Sequence, residues 1–488
     1  MANLLQPVGD ILQIIDDQNP WRSGEGVPAV LAPPVERPLA QGLWRSVQRE
    51  DIRRFSLVVG ARRVGKTTVM YQTVRHLLRE GVDPQNVIWL RLDHPVLLRE
   101  DLGTLVRLVL DTAGARVDSP VYLMLDEIVY ARDWDIWLKT FYDEHWPVRV
   151  VATSSATAAL RHRRLESGVG RWADRYLAPY GFAEYLDLLG RHQDLSVEDT
   201  LAATVLTLPA RLPDAARLAA LRQRFTLIGG FPELLRSETG VSAALDDATR
   251  LLESQQLLRA DAVERAVYKD IPQSYGVSSP MRLERLLYVL AAQMTGIVSP
   301  TKIGAELELS QPTFDRYLSY LEQTFLVFTL SSYGPSEETR QRRGRKVFFV
   351  DGAVRNAALQ RGLTPLTDPA ELGALTENLV AAALHSLGQQ TGQRVYHWRD
   401  GRREVDLILD DPLRPLAFEI ASSSRHSSDG LRALLERHPR FRGGSYLVSP
   451  NVSVRHPREL AEVGTLPLDL LLVAIGQQAQ RAMLAGLG

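Results

Sequence analysis

The stretch GARRVGKTT, Gly60 to Thr68, combines glycines, a lysine and hydroxyl residues in the spacing of a phosphate-binding loop. Gly60 and Gly65 let the backbone curl, so that the amides of Ala61, Arg62, Arg63 and Val64 turn toward phosphate oxygens. Lys66 brings an ammonium to the β and γ oxygens, Thr67 a hydroxyl for Mg²⁺, and Thr68 follows in the same turn. Further on, VYLMLDE (Val121 to Glu127) is an apolar run ending in two carboxylates. Asp126 suits the Mg²⁺ shell and Glu127 suits polarisation of the attacking water. ATP and Mg²⁺ are the cofactors this pairing predicts, and ATP hydrolysis the reaction.

The run VRVVATSS (148–155) carries polar residues at its end, where Thr153 and Ser155 would report the γ-phosphate to the sheet; a strand-end turn is the competing account. After it, RHRRLESGVGRWADRY presents Arg161, Arg163, Arg164, Arg171 and Arg175. An arginine reaching a neighbour's γ-phosphate is worth roughly 10³ to 10⁵ in rate. Arg171 is the first candidate for that role, against a solvated surface position for any one of them.

Such groups need rigid elements behind them. Between 55 and 180, FSLVV, VIWLRL, VYLML and VRVVAT alternate with helical patterns, the rhythm of a parallel sheet with crossover helices. Residues 19–42 are rich in Pro and Gly and are expected to run extended over the surface as a leader. The pattern from 183 to 275 is helical, broken at LPARLP and at the GGFPEL turn, and suggests a lid. Residues 280–350 read as a winged helix-turn-helix, with Ser310 capping its second helix and two strands, FLVFTL and KVFFVD, around a basic loop. The remainder, with strands around RVYHW, EVDLIL, PLAFEIA and GSYLVS, is a separate α/β unit. The expected division is 1–42, 43–182, 183–275, 276–355 and 356–488.

Composition sets bounds on partners. A formal charge of -1 over 488 residues gives no global polyanion signal, so nucleic-acid contact must use local patches. Five of the 57 basic residues are lysines, an arginine bias that suggests a GC-rich genome. With no cysteine, disulfides and thiolate metal sites are excluded. The acidic start lacks a signal-peptide pattern, and LPLDLLLVAIG (466–476) is too short to span a bilayer. The expectation is a cytoplasmic protein with no membrane segment.

Taken together, GARRVGKTT, YLMLDEIVYARDWDIWLKTFYD, VATSSATAAL, GVGRWADRYLAPYGFAEYL, GGFPELL, KVFFVDGAVRNA, and TENLV with EVDLIL resemble prokaryotic AAA-type ATPases that carry a C-terminal DUF4143 domain. The resemblance runs from about 40 to 450. It implies an AAA core, a helical lid, a winged helix and a C-terminal domain related to PD-(D/E)xK nucleases, with a restriction-endonuclease-like α/β fold. By position it puts Gly230 and Pro232 at the nucleotide-facing end of the lid. It also makes Arg171 a finger supplied to a neighbouring subunit, hence a homo-oligomer, with a hexameric ring as one form.

DNA is the partner these domains suggest. The second helix of the winged unit exposes Gln311, Thr313, Asp315, Arg316, Ser319 and Glu322, a poor set for reading bases. In the loop RQRRGRK, Arg340, Arg342, Arg343, Arg345 and Lys346 would neutralise phosphates without sequence information. Non-specific or structure-specific binding to duplex or junction DNA is therefore expected, with fork or junction processing in repair or recombination as the leading role. A nucleotide-dependent switch that binds proteins, and an ATP-regulated nuclease, are the competing readings.

In the nuclease-like part, Glu377, Asp406 and Glu419 take the places of acids that gather a divalent metal. Where the motif carries a lysine this chain has Ala421, in AFEIASSS. Losing such an electrostatic donor costs about 10² to 10³ in rate. Arg399 and Arg403 are close in sequence, but guanidinium is not equivalent to ammonium. A binding scaffold without useful cleavage is expected.

Overall fold

Runs of apolar residues at strand length become β1 (Phe55–Val59), β2 (Val87–Arg91), β3 (Val121–Asp126) and β4 (Val148–Ser154), joined by β5 (Trp172–Tyr176). Their order is β2-β3-β4-β1-β5 and every pairing is parallel. All five residues of β1 are buried, as a strand covered on both faces requires. In the computed structural model residues 7–51, 53–113, 119–154, 170–239, 247–334, 336, 344–421, 427–457 and 462–485 are described. Contacts divide the chain into two units, 1–177 with 482–488, and 178–481.

In the first unit, helices Lys66–Arg79, Leu102–Ala113 and Trp134–Asp143 provide the crossovers. Lys66–Arg79 turns Val69, Met70, Thr73, Val74 and Leu77 inward, the stripe a helix on a sheet needs. The leader differs from the extended surface run expected for 19–42. Trp21 is buried, and a helix already starts at Pro38. The physical cause is the sheet edge. Trp89 N donates to Asn19 Oδ1 at 2.6 Å, Asn19 Nδ2 donates to Trp89 O at 2.9 Å, and Trp21 Nε1 donates to Val87 O at 2.8 Å. These side chains satisfy the open backbone groups of edge strand β2. Further along, Arg75 donates to the carbonyls of Ala32 and Pro33, and Gln72 to that of Val35.

The second unit begins with the helices Phe182–Leu188, Leu201–Thr207, Ala215–Ile228 and Pro232–Thr239. Asp247–Leu258 and Ile271–Tyr275, with π-helical turns between them, come next. Then Pro280–Ala292, Pro300–Leu307 and Gln311–Gln323 stand with a small antiparallel sheet of β6 (Ile297–Val298), β7 (Val327–Leu330) and β8 (Arg345–Phe349) in the order β6-β8-β7. Ser310 accepts from Thr313 N at the start of Gln311–Gln323, which is the predicted cap. Helix Pro369–Thr391 then leads into β9 (Arg394–Asp400), β10 (Arg403–Asp410), β11 (Leu416–Ile420), β12 (Ser445–Ser449) and β13 (Gly464–Pro467). This sheet is antiparallel over β9-β10-β11 and parallel over β11-β12-β13.

Segments expected as separate domains, 183–275, 276–355 and 356–488, share one hydrophobic cluster. It draws Tyr185 and Phe225 from the first helices, Phe328 and Phe348 from the small sheet, and Leu384, Phe418 and Leu471 from the C-terminal part. The apolar run at 466–476 starts at the end of β13 and continues into helix Leu468–Leu484, whose residues Leu470 to Ile475 are buried, so its hydrophobicity serves this core. Among the described residues no helix is long and apolar enough to cross a membrane.

Candidate active site

The phosphate-binding loop leaves the C-terminal end of β1, between β4 and β5. A Cβ on Gly60 would meet Leu177 O at 2.2 Å, so only glycine fits. Arg63 (φ 66°) and Gly65 (φ 93°) both take the left-handed region, which curls the loop. Lys66 Nζ donates to the carbonyls of Gly60 at 3.0 Å and Ala61 at 2.9 Å, so the ammonium lies across the mouth of the curl.

Thr67 Oγ1 is 3.2 Å from both carboxylate oxygens of Asp126 at the end of β3. Thr153, on neighbouring β4, donates to Asp126 Oδ1 at 2.7 Å and accepts from Glu127 N at 2.9 Å. A single hydroxyl thus ties both acidic residues to the adjacent strand. Burial pushes the Asp126 carboxyl up to about 6, against the Thr153 hydrogen bond; Glu127 adds to the rise, whereas Lys66 and Thr67 oppose it. A buried carboxylate beside a hydroxyl fits a hard divalent cation, which would stabilise the ionised form. Thr67 and Asp126 are the residues that would hold Mg²⁺, whose chemistry there is neutralisation of phosphate charge. Glu127 sits at φ 53°, ψ 54°, a left-handed backbone that a glutamate adopts only under local constraint, and strain of this kind clusters at reactive sites.

Sequence reasoning missed Arg37. It is 3 % exposed, and its guanidinium donates to Val64 O, inside the loop, at 3.3 Å. Nothing in its Pro-rich surroundings signals this.

Arg171 precedes β5, and its carbonyl accepts from Phe55 N at the start of β1. Its guanidinium makes a two-pronged bond to Asp143, at 2.7 and 3.0 Å. Since the loop leaves the other end of β1, whose five residues span roughly 17 Å, Arg171 is remote from its own chain's phosphate site. Arg175 points inward on β5, where burial lowers its pKa. Ser155, Arg161, Arg163 and Arg164 lie outside the described residues.

The GGFP turn has its backbone committed within the second unit. Gly230 N donates to Asp351 at 2.6 Å, Tyr180 N donates to Gly230 O at 2.7 Å, and a Cβ on Gly230 would meet Tyr180 O at 2.0 Å. Pro232 opens the following helix. These contacts fix the shape of the turn.

A second charged cluster forms in the C-terminal part. Glu404 and Asp406 occupy alternate positions of β10, hence one face. Glu377 comes from helix Pro369–Thr391 and Glu419 from β11. Into this cluster reaches Lys346 of β8: its Nζ bonds Glu404, lies 3.0 Å from Glu377 and 3.7 Å from Asp406. This corrects the expectation that Lys346 contacts DNA. It is 3 % exposed because the carboxylates hold it inward. Burial alone would lower the lysine pKa, but Glu377, Asp406 and Glu404 outweigh it and keep the ammonium charged. Burial, then Asp406, pushes Glu377 up to about 8 and Glu419 up to about 9. Ala421 is buried and donates its amide to Val448 O. Arg399 and Arg403 are exposed beside the β9–β10 turn. Sequence reasoning missed Glu404, although its i, i+2 spacing from Asp406 in a strand was a usable signal, and it missed the arrival of Lys346, for which sequence carries no signal.

Arg316 and Arg345 remain on the surface of the helix-turn-helix part. Arg316 donates to Thr313 at 3.3 Å, and Arg345 lies 3.9 Å from Asp315. Arg340, Arg342 and Arg343 lie outside the described residues.

A phosphate-binding loop and two strand-end acids, bridged by a threonine and set on a parallel five-stranded sheet, define a P-loop ATPase of the AAA type. Residues 53–186 match the AAA domain family, 220–364 a domain of unknown function, DUF8612, and 372–461 another, DUF4143. The chain therefore carries an AAA domain and a C-terminal DUF4143 domain. It is 24% identical over 388 residues to an uncharacterized protein of Methanocaldococcus jannaschii, covering 79% of each chain. With an uncharacterized protein of Haemophilus influenzae it shares 21% over 412 residues, 82% of this chain and 91% of the relative. Among solved structures, Aeropyrum pernix ORC1 in complex with DNA aligns at a TM-score of 0.31 and 15% identity, over 69% of this chain and 97% of that one. Hsp104 in a closed state with ATPγS and casein aligns at 0.32 and 16% identity, over 59% and 52%.

Proposed function

We propose that this ATPase oligomerises and acts mechanically on DNA, duplex or branched, in fork or junction processing during repair or recombination, with a nuclease-like domain that does not cleave. The observation that carries the ATP-driven part is the Thr67–Asp126–Thr153–Glu127 network. Lys66, Thr67 and the loop amides bind the triphosphate with Mg²⁺, and Glu127 orients the water. For DNA, support comes from exposed Arg316 and Arg345 on the helix-turn-helix part. The neighbouring Asp315 dilutes their charge and favours contact with phosphate over base readout.

A second reading, a nucleotide-dependent switch that binds proteins, draws on a cavity of about 400 Å³ lined by Leu227, Ile228, Leu251, Leu363 and Leu366. Phosphate release measured with and without duplex, single-stranded and four-way-junction DNA separates the two. Stimulation by DNA, steepest for the junction and lost at high salt, is expected. Absence of both stimulation and binding at low salt would overturn the DNA reading in favour of the switch.

A further inference from the structure

The metal-dependent nucleases that the C-terminal part resembles need a divalent ion among their acids, and the residues here do not leave it a place. We propose that Lys346 is the resident cation of this cluster: its ammonium stands among Glu377, Glu404 and Asp406 where such an ion would sit, and closes the site to metal. The inference concerns only the second unit and is independent of the DNA reading.

Geometry carries it. Nζ is within ion-pair reach of three carboxylates from two elements, helix Pro369–Thr391 and β10. A hydrolytic lysine has a different task, standing beside the metal to stabilise charge on the phosphate and the water. Ala421, where that lysine would stand, supplies none. The strand that carries the lysine is anchored as well. Phe349 N donates to Asn378 Oδ1 at 2.8 Å and Asn378 Nδ2 donates to Phe349 O at 3.1 Å, so the residue beside Glu377 clamps the same strand that carries Lys346. An ammonium has no coordination position to offer a water or a phosphate oxygen, and this one is spent on carboxylates, so it cannot take over the Lewis-acid task of a metal. The acids that would gather a metal instead fasten β8 to the C-terminal sheet.

Manganese binding tests this, read by electron paramagnetic resonance of the free ion on full-length protein carrying Asp126→Asn, so that the nucleotide site contributes nothing. With Lys346 present, no uptake at the cluster is expected. Lys346→Met in the same background should gain one site, at least about tenfold tighter than any residual binding, and a thermal midpoint that rises with manganese. Adding Glu377→Gln and Glu404→Gln should remove that site. Uptake by the Lys346-bearing protein that Glu377→Gln abolishes overturns the assignment, as does a folded Lys346→Met protein that gains no site. Should Lys346→Met fail to fold in metal-free buffer, recovery on adding manganese supports the proposal, and indifference to manganese refutes it.

Discussion

Lys66 and Glu127 act on different stages of one reaction, and substitutions separate them. Lys66→Ala removes the ammonium from the loop, so nucleotide binding itself should be lost in a fluorescent-nucleotide titration. Glu127→Gln keeps the backbone bond to Thr153 and should retain ATP, with phosphate release lowered by about 10² to 10⁴; normal turnover would refute the assignment. His397 makes a prediction of another kind. Burial, then the Lys346 ammonium, lowers its pKa from 6.5 to about 4, and its Nε2 is 3.1 Å from Gly344 O. The native state binds fewer protons than the unfolded chain between those values. Stability from this residue is therefore complete above about 6.5 and is lost as pH falls through about 4, by up to about 3 kcal/mol. His397→Gln, which keeps a donor for Gly344 but cannot titrate, should flatten that part of the acid limb in urea denaturation at stepped pH.

Elements answer for the loops they hold. The strand–loop–helix around Gly60 was legible because each residue type in it is dictated by phosphate chemistry. That Gly60 also packs on Leu177 O was not, since it depends on where β5 ends. Gly60→Ala should weaken nucleotide binding and lower stability by about 1–3 kcal/mol, because backbone rather than a pliable side chain blocks the new methyl. In the second unit, Asn378 is fully buried and bonds both backbone groups of Phe349. Asn378→Ala leaves a buried N–H and C=O without those partners and should cost about 1–3 kcal/mol in chemical denaturation, with the AAA active site untouched. Helix and strand periodicities announced most of these elements. They did not announce β5, whose sequence WADRY alternates too weakly to separate it from a loop.

Across the whole molecule, the distance between Arg171 and its own phosphate site bears on assembly. Arg171→Ala should bind ATP yet lose hydrolysis, and mixing it with the Lys66→Ala protein should restore part of the rate, since each supplies what the other lacks. Phosphate release of the mixture, read beside particle size with and without ATP, checks this; no recovery would leave Arg171 as a partner of Asp143 alone. The sequence by itself determined the nucleotide chemistry. A phosphate loop is local, and Gly60 to Thr68, with two acids closing an apolar strand, can be read without knowing what surrounds them. Tertiary structure alone decided the fate of the C-terminal acids. Charge compensation acts through space, and the lysine that answers Glu377, Glu404 and Asp406 comes from β8, a strand of the small three-stranded sheet. Ala421 looked like a missing cation in sequence, yet folding carries Lys346 into the cluster, among the acids where a metal would sit.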